Sequence, residues 1–229
     1  GGYILIGLIM IVTHLPAVPG VFQAIFSQAF DAQAIAGGFA GSAVVTGIKK
    51  GLFSNEAGMG SAPNAAASAA VSHPAKQGLI QTLSVFLDTL VICSTTAMIL
   101  MVSGVPVSQD ITYVQDAVSS TFGPAGILFI TIAIFFFAFS SLIGNYYYTE
   151  SNLRFIRDDK RVLFIFRLTC LAAIFLGAQA SFDTVWNLAD ILMGFMAIVN
   201  IIAILLLGNQ AVKVLKDYDR QRKTGKDPV

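Results

Sequence analysis

Four stretches of this chain are long and apolar enough to cross a lipid bilayer, and they limit what it can fold into. They are LIQTLSVFLDTLVICSTTAMILMV (79–102), GILFITIAIFFFAFSSLIGNYYY (126–148), VLFIFRLTCLAAIFLGAQA (162–180) and VWNLADILMGFMAIVNIIAILLLG (185–208). A helical span needs about 20 predominantly apolar residues. Within hydrocarbon every backbone polar group must be satisfied inside the protein, so only helices and closed barrels cross, and runs of this length select helices. Only 12% of the 229 residues are charged and 55% are hydrophobic, with 18 Phe, whereas a soluble domain carries about 25% charged residues. The chain reads as an all-α integral membrane protein embedded in the lipid bilayer.

Two further segments precede these. YILIGLIMIVTHL (3–15) is too short to span alone, and PAVPGVFQAIFSQAF (16–30) starts with two prolines before placing Val21, Ile25 and Phe26 at helical spacing, as in an interfacial or re-entrant helix. The opening GGYILIGLIM has no charged region ahead of its apolar run, so it is not a signal peptide; the chain reads as a piece of something longer.

The net charge is only +1, which gives no reason to expect a nucleic-acid partner, but its distribution sets a topology. Arg154, Arg157, Lys160 and Arg161 crowd 149–161, six basic residues follow position 208, and the segment 104–122 has Asp110 and Asp116 without a cation. The excess of Lys and Arg in cytoplasmic loops then places 149–161 and the tail inside and 104–122 outside. The expected organisation is a multi-pass transmembrane domain over 1–208, in the cell (plasma) membrane, and a basic cytoplasmic tail over 209–229.

Alternation of the spans forces residues 34–73 to cross as well. That segment contains KKGLFSNEAGMGSAPNAAASAA, 49–70, which is polar and glycine-rich. Its first part has Gly37/Gly41 and Gly47/Gly51 at spacings suited to close helix contact. Gly51, Gly58 and Gly60 then weaken the helix by up to ~1 kcal/mol each relative to Ala, and Pro63 suits a new first turn. The pattern predicts a helix, a break and a second helix. Irregular backbone at membrane depth is tolerated where it lines a watery cavity. Amides near Gly60 to Pro63 suit a carboxylate, and carbonyls near Gly51 to Phe53 suit a cation or ammonium. The alternative is a cytoplasmic loop with Lys49 and Lys50 at the membrane edge, since a lysine at depth costs ~2.5 kcal/mol or more unless solvated or paired.

Other polar residues interrupt the apolar runs. Asp88 lies in the middle of 79–102 with Ser84 and Thr95 at helical spacing; this is either a functional carboxylate or a structural hydrogen-bond cluster. Ser140 and Ser141 are either oxygen ligands for a small hard cation or hydroxyls returned to helix carbonyls. Asp190 stands about 10 Å along its helix, at a vestibule or a helix contact. Cys93 and Cys170 are each buried in apolar sequence and read as small core residues, and His14 and His73 lack metal-ligand spacing. No Walker loop, dinucleotide fingerprint, HExxH motif or nucleophile elbow is present, which argues for transport over catalysis.

At GLFSNEAGMGSAPNAAASAA, followed by HPAKQGL, VFLDTL and FAFSSLIGNYYYTE, the chain resembles the sodium:alanine symporter family of amino acid:cation symporters, from about residue 3 to the KDPV ending. The resemblance implies a leucine-transporter-like fold of two inverted five-helix repeats. This chain would be the second inverted repeat, about helices 5 to 10, with the broken helix at about 34–73 and the N-terminal half of the same protein missing. It also implies that Phe53 shapes the substrate side-chain pocket, that Ser54, Asn55, Gly58 and Gly60 address the polar ends of an amino acid, and that Glu56 stabilises the break or pairs with a cation. Ser140 and Ser141 fall where this fold keeps a hydroxyl pair for half of a sodium site, with Asp88 a further polar candidate. Asn145 follows Gly144 where the family pattern has an aromatic residue. Asn145 is therefore counted with the substrate site, and glycine or another small amino acid stays open beside alanine. The function implied is sodium-coupled symport of a small neutral amino acid by alternating access, with Na+ as coupling ion. Proton coupling on the same fold, or a non-transporting sensor or assembly subunit, are the alternatives.

Overall fold

The structure is a computed structural model that describes residues 1–29, 43–108 and 112–225. Gly37, Gly41, Asp110, the start of the predicted broken helix and the final KDPV lie outside the described residues. Every regular element among the described residues is helical: α1 (Gly2–Thr13), a short turn of 3-10 helix (Leu15–Ala17), α2 (Val18–Ala29), α3 (Ala43–Asn55), α4 (Ala62–Ala67), α5 (Pro74–Leu87), a π-helical turn (Asp88–Cys93), α6 (Ser94–Val102), α7 (Thr112–Phe122), α8 (Pro124–Ile156), α9 (Lys160–Gln179) and α10 (Phe182–Lys223).

Four helical stretches are long and apolar enough to cross a membrane: Pro74–Val102, Pro124–Ile156, Lys160–Gln179 and Phe182–Lys223. A fifth crossing results if α1 and the helix after it, bent by 79° at His14, are counted as one broken span. The bend has a local cause, since Pro16 opens the 3-10 turn and Pro19 the second helix, and neither proline can donate into a continuous ladder.

The chain divides into two compact units, Gly1–Asn55 with Ser84–Ser140, and Glu56–Leu83 with Ser141–Val229. The first unit has an apolar core in which Met10, Ile99, Ala117, Val118 and Ile130 are almost fully buried. Here α1 lies directly on α6. A Cβ on Gly7 would come 2.3 Å from the Thr95 methyl, so glycine at this position is what lets the helices approach, and Tyr3 Oη shares a 2.7 Å hydrogen bond with Thr96 Oγ1 beside it. At the other side of the core α7 turns into α8 at Gly123, φ 60°. A Cβ on Gly126 would meet the Val118 side chain at 2.9 Å.

The second unit is tied by polar contacts. Asn152 of α8 donates to Asn64 of α4 at 3.0 Å. His73, buried, accepts from the Ala75 amide at 3.1 Å through Nδ1 and turns Nε2 to Asp217 of α10 at 3.6 Å. Large apolar side chains line the outside of its long helices; Val199 and Leu205 are 69% and 77% exposed. Such surface is suited to lipid and would not persist in water.

Several boundaries differ from the sequence reading. The acidic connection 104–122 contains helix α7, which is too short to stand out as a span; it buries Ala117 and Val118 and leaves Asp116 exposed. The basic segment 149–161 is almost wholly helical, interrupted only at 157–159, because Arg154 pairs with Glu150 and Asp158 one turn either side. Helix α10 runs on through most of the tail to Lys223. At 1.5 Å per residue its 42 residues extend about 63 Å, twice the ~30 Å of a hydrocarbon core, so the helix is longer than one crossing needs. Gly51, expected in the break, is helical.

Candidate functional site

The predicted interruption is present. Helix α3 stops at Asn55, residues 56–61 are non-helical, and α4 starts at Ala62 with Pro63 in its first turn. The stop has a backbone cause: Glu56, Gly58 and Gly60 all have positive φ, at 54°, 81° and 93°. A helix commonly ends on one left-handed residue, usually glycine. Here the first such residue is Glu56, and a non-glycine residue in that region stores on the order of 1 kcal/mol or more, a feature concentrated at functional sites. The second helix is shorter than the alanine-rich sequence suggested, six residues ending at Ala67. Its macrodipole is correspondingly slight, so any anion at the break is held by individual backbone N–H groups.

In the first unit, the end of α3 is fastened to the π-helical turn. Ser54 Oγ donates to Asp88 Oδ2 at 2.7 Å and lies 3.2 Å from Cys93 Sγ. Asn55 Nδ2 donates to Thr89 Oγ1 at 2.8 Å. Two consecutive polar residues on one helix thus meet two consecutive polar residues on another. The π turn inserts extra backbone per turn, a distortion frequent at functional sites. It also breaks up the polar stripe expected on this helix. Asp88 faces α3, whereas Thr95 packs its methyl on Gly7 of α1 and returns its hydroxyl to Val91 O at 2.6 Å. Ser84, Asp88 and Thr95 share one face only on an unbroken α-helix, and the π turn at Asp88–Cys93 interrupts it. Phe53 is half-buried beside Ser54, and Lys49 and Lys50 are exposed along α3.

In the second unit, the break is held from α10. Asn200 Nδ2 donates to Gly58 O at 2.9 Å, and a Cβ on Gly60 would lie 3.3 Å from the Asn200 side chain. Asn64 Nδ2 returns to Gly60 O at 3.2 Å. Ser61 is 5% exposed, and its hydroxyl has no partner among the described residues. A cavity of about 450 Å³ opens next to Gly60, lined by Met59, Phe195, Val199 and Asn200. Sequence reasoning passed over Asn200 and Ser61. The signal for Asn200 was available, as an amide inside the apolar run MAIVNIIAILLLG.

The remaining predicted residues lie on α8. Ser140 returns its hydroxyl to Phe137 O at 3.0 Å, the structural alternative foreseen for it. Asn145 turns its amide onto Ser141 O at 3.0 Å. No group of three His, Cys, Asp or Glu side chains able to hold a metal occurs among the described residues.

Comparison with known proteins gives a consistent result. The profile described as the sodium:alanine symporter family matches residues 1–229. The chain is 50% identical over 230 residues to the amino-acid carrier protein AlsT of Bacillus subtilis, covering 100% of this chain and 50% of that protein. It is 47% identical over 230 residues to the probable sodium/glutamine symporter GlnT of Bacillus subtilis, covering 99% and 48%. It is 41% identical over 247 residues to the sodium/proton-dependent alanine carrier protein of Bacillus sp. PS3, covering 99% and 56%. The chain spans about half the length of the curated relatives it matches.

Proposed function

Because this chain belongs to the sodium:alanine symporter family, a family of transporters and not of enzymes, we propose that it is the second inverted repeat of a sodium-coupled symporter for a small neutral amino acid, alanine or glycine. It works by alternating access together with the N-terminal half that its relatives carry. Residues 1–208 form the transmembrane part and 209–229 a cytoplasmic tail.

The observation that carries this reading is the interruption at 56–61, with three left-handed residues in five positions, Ser54 ahead of it bonded to Asp88 and Gly58 within it bonded to Asn200. A break that had to serve only as a surface loop would not need Asp88 or Asn200 committed to it. In this reading the amides near Gly58 and Gly60 hold the substrate carboxylate, and Ser54, Asn55 and Glu56 address its ammonium end. Phe53 and Asn145 bound the side-chain pocket. Ser140 and Ser141 supply oxygens to half of a sodium site. Asp88 either adds a charge to that cation or holds Ser54 in place.

Relatives differ in the substrate that their names specify, alanine or glutamine, and a second reading draws on the PS3 relative, which is named for sodium and protons together. Uptake of labelled alanine, glycine and glutamine by the full-length transporter, with sodium or choline outside and with the proton gradient set independently, tests both. Uptake that requires sodium and ignores the proton gradient supports the first reading. Uptake that follows the proton gradient and persists in choline overturns it in favour of the second.

A further inference from the structure

The charged ends of α8 and α9 enclose a cavity that the transport reading leaves unused. Arg154 on α8 and Arg167 on α9 converge on one carboxylate: Glu150 Oε1 accepts from Arg154 Nη2 at 2.6 Å, from Arg154 Nε at 3.0 Å and from Arg167 Nη2 at 3.3 Å. Tyr146 also donates to Glu150, and Arg167 Nε donates to the Tyr146 oxygen at 3.0 Å. The Glu150 side chain is 13% exposed and the two arginines are about half exposed, at 46% and 54%. A nearly buried carboxylate therefore fixes the orientation of two guanidinium groups that still reach the surface.

Beside them is a cavity of about 490 Å³, lined by Arg154, Lys160 and Arg167, by the single carboxylate of Asp158, and by Leu163 and Phe164. With Glu150 counted behind the arginines, three cations stand against two carboxylates, and Lys160 is the cation that neither Glu150 nor Asp158 pairs with among the described residues. The start of α9 adds to the imbalance: its first turn holds Lys160 and Arg161 and no acidic residue, although cations at a helix N-terminus oppose the macrodipole. Asp159 offsets part of this by accepting from the Arg161 amide at 2.7 Å. The lining residue Phe164 is 62% exposed, and Phe155 and Ile156, which follow Arg154 in the chain, are 93% and 80% exposed.

An oriented guanidinium matches the oxygens of a phosphate, and basic pockets between membrane helices hold anionic lipid headgroups. We propose that this cavity binds the headgroup phosphate of an anionic phospholipid. Its negative charge offsets Lys160, Arg154 and Arg167, and its acyl chains run along Phe164 and the exposed apolar residues of α8. The proposal rests on the membrane placement of the chain and is independent of which ion or amino acid is transported.

The full-length transporter, purified in a neutral detergent, is titrated with phosphatidylglycerol, phosphatidylcholine or inorganic phosphate. Retained lipid is counted by native mass spectrometry, and thermal unfolding is followed in parallel. Phosphatidylglycerol is expected to be retained in preference to phosphatidylcholine and to raise the unfolding temperature, with no shift from inorganic phosphate at the same concentration. Lys160→Gln leaves the Glu150 cluster intact and should weaken phosphatidylglycerol binding about fivefold, from the ~1 kcal/mol that a cation near a charged lipid surface contributes. Arg167→Gln should weaken it further; if that variant unfolds, Lys160→Gln alone decides. Equal retention of both lipids, or unchanged binding in Lys160→Gln, overturns the proposal. Equal stabilisation by inorganic phosphate overturns the lipid as occupant and assigns the cavity to a free anion.

Discussion

Ser54 at the end of α3 donates to the carboxylate of Asp88, 34 residues further along the chain, at 2.7 Å. The bond joins the last turn before the break to the first residue of the π-helical turn, so each irregularity stabilises the other. A hydrogen bond to a charged group contributes roughly 1.5–3 kcal/mol, which corresponds to a 10- to 100-fold change if it is needed in the binding-competent geometry. Asp88→Asn and Ser54→Ala should each lower kcat/KM for sodium-dependent alanine uptake by about this factor, and the double variant should lose little more than the worse single one. Additive losses would mean that the two residues act separately.

Gly60 is held in a conformation that only glycine adopts at low cost, φ 93°, and a Cβ there would also press on Asn200 at 3.3 Å. Gly58 has a comparable φ of 81° but open space around its Cβ position. Both Gly→Ala changes should destabilise the break by about 1 kcal/mol or more through backbone strain. Gly60→Ala should be the worse of the two, in thermal unfolding and in KM for the amino acid. Equal effects would indicate that the approach to Asn200 is not constrained.

The charged C-terminal end of α10 offers a pH test. The Gln221 amide and the Arg220 guanidinium hold the Asp217 carboxyl below its ordinary value of 3.8, with His73 adding to the effect. A carboxyl depressed in the folded state contributes stability above its unfolded value and loses it as pH falls through the folded value. The difference in unfolding temperature between the wild type and Asp217→Asn should therefore be present at neutral pH, start to shrink near pH 4 and go on shrinking as the folded carboxyl takes up its proton. A difference that does not shrink on acidification would exclude the carboxylate as its source.

The spans were legible because length and apolarity alone identify a helix in lipid, and the break was legible because glycine, proline and polar residues cluster at 51–63. What the sequence did not disclose has identifiable causes. The π turn at Asp88–Cys93 is set by packing and leaves no composition signal, so Thr95 was grouped with Asp88 although it packs on α1. Helix α7 was hidden because its stability comes from burying Ala117 and Val118 in a core assembled from distant segments. Asn200 carried a signal, an amide in hydrocarbon, but its partner Gly58 is 142 residues away. No local spacing connects residues that far apart.

The Gly7 and Thr95 contact makes a complementary pair of substitutions. A Cβ on Gly7 would sit 2.3 Å from Thr95 Cγ2, closer than van der Waals contact allows, so Gly7→Ala should destabilise the α1 and α6 pair by about 1–3 kcal/mol, the usual cost of overpacking. Thr95→Ser removes that methyl and keeps the hydroxyl that bonds to Val91. The double variant should recover at least half of the lost unfolding temperature, and lack of recovery would place the conflict elsewhere.

Ser140 and Ser141 are adjacent on α8 but differ in their bonding. The Ser140 hydroxyl is returned to Phe137 O at 3.0 Å, whereas Ser141 accepts the Asn145 amide through its carbonyl and its hydroxyl has no partner among the described residues. If this hydroxyl completes a sodium site, Ser141→Ala should raise the sodium concentration for half-maximal uptake by roughly tenfold, the value of a hydrogen-bond-scale contact of about 1.4 kcal/mol. Ser140→Ala should raise it less, because its hydroxyl must first release a helix carbonyl. Measured side by side in the full-length transporter, the two variants distinguish a ligating hydroxyl from one that only satisfies its own helix. Unchanged sodium dependence in Ser141→Ala would remove it from the site.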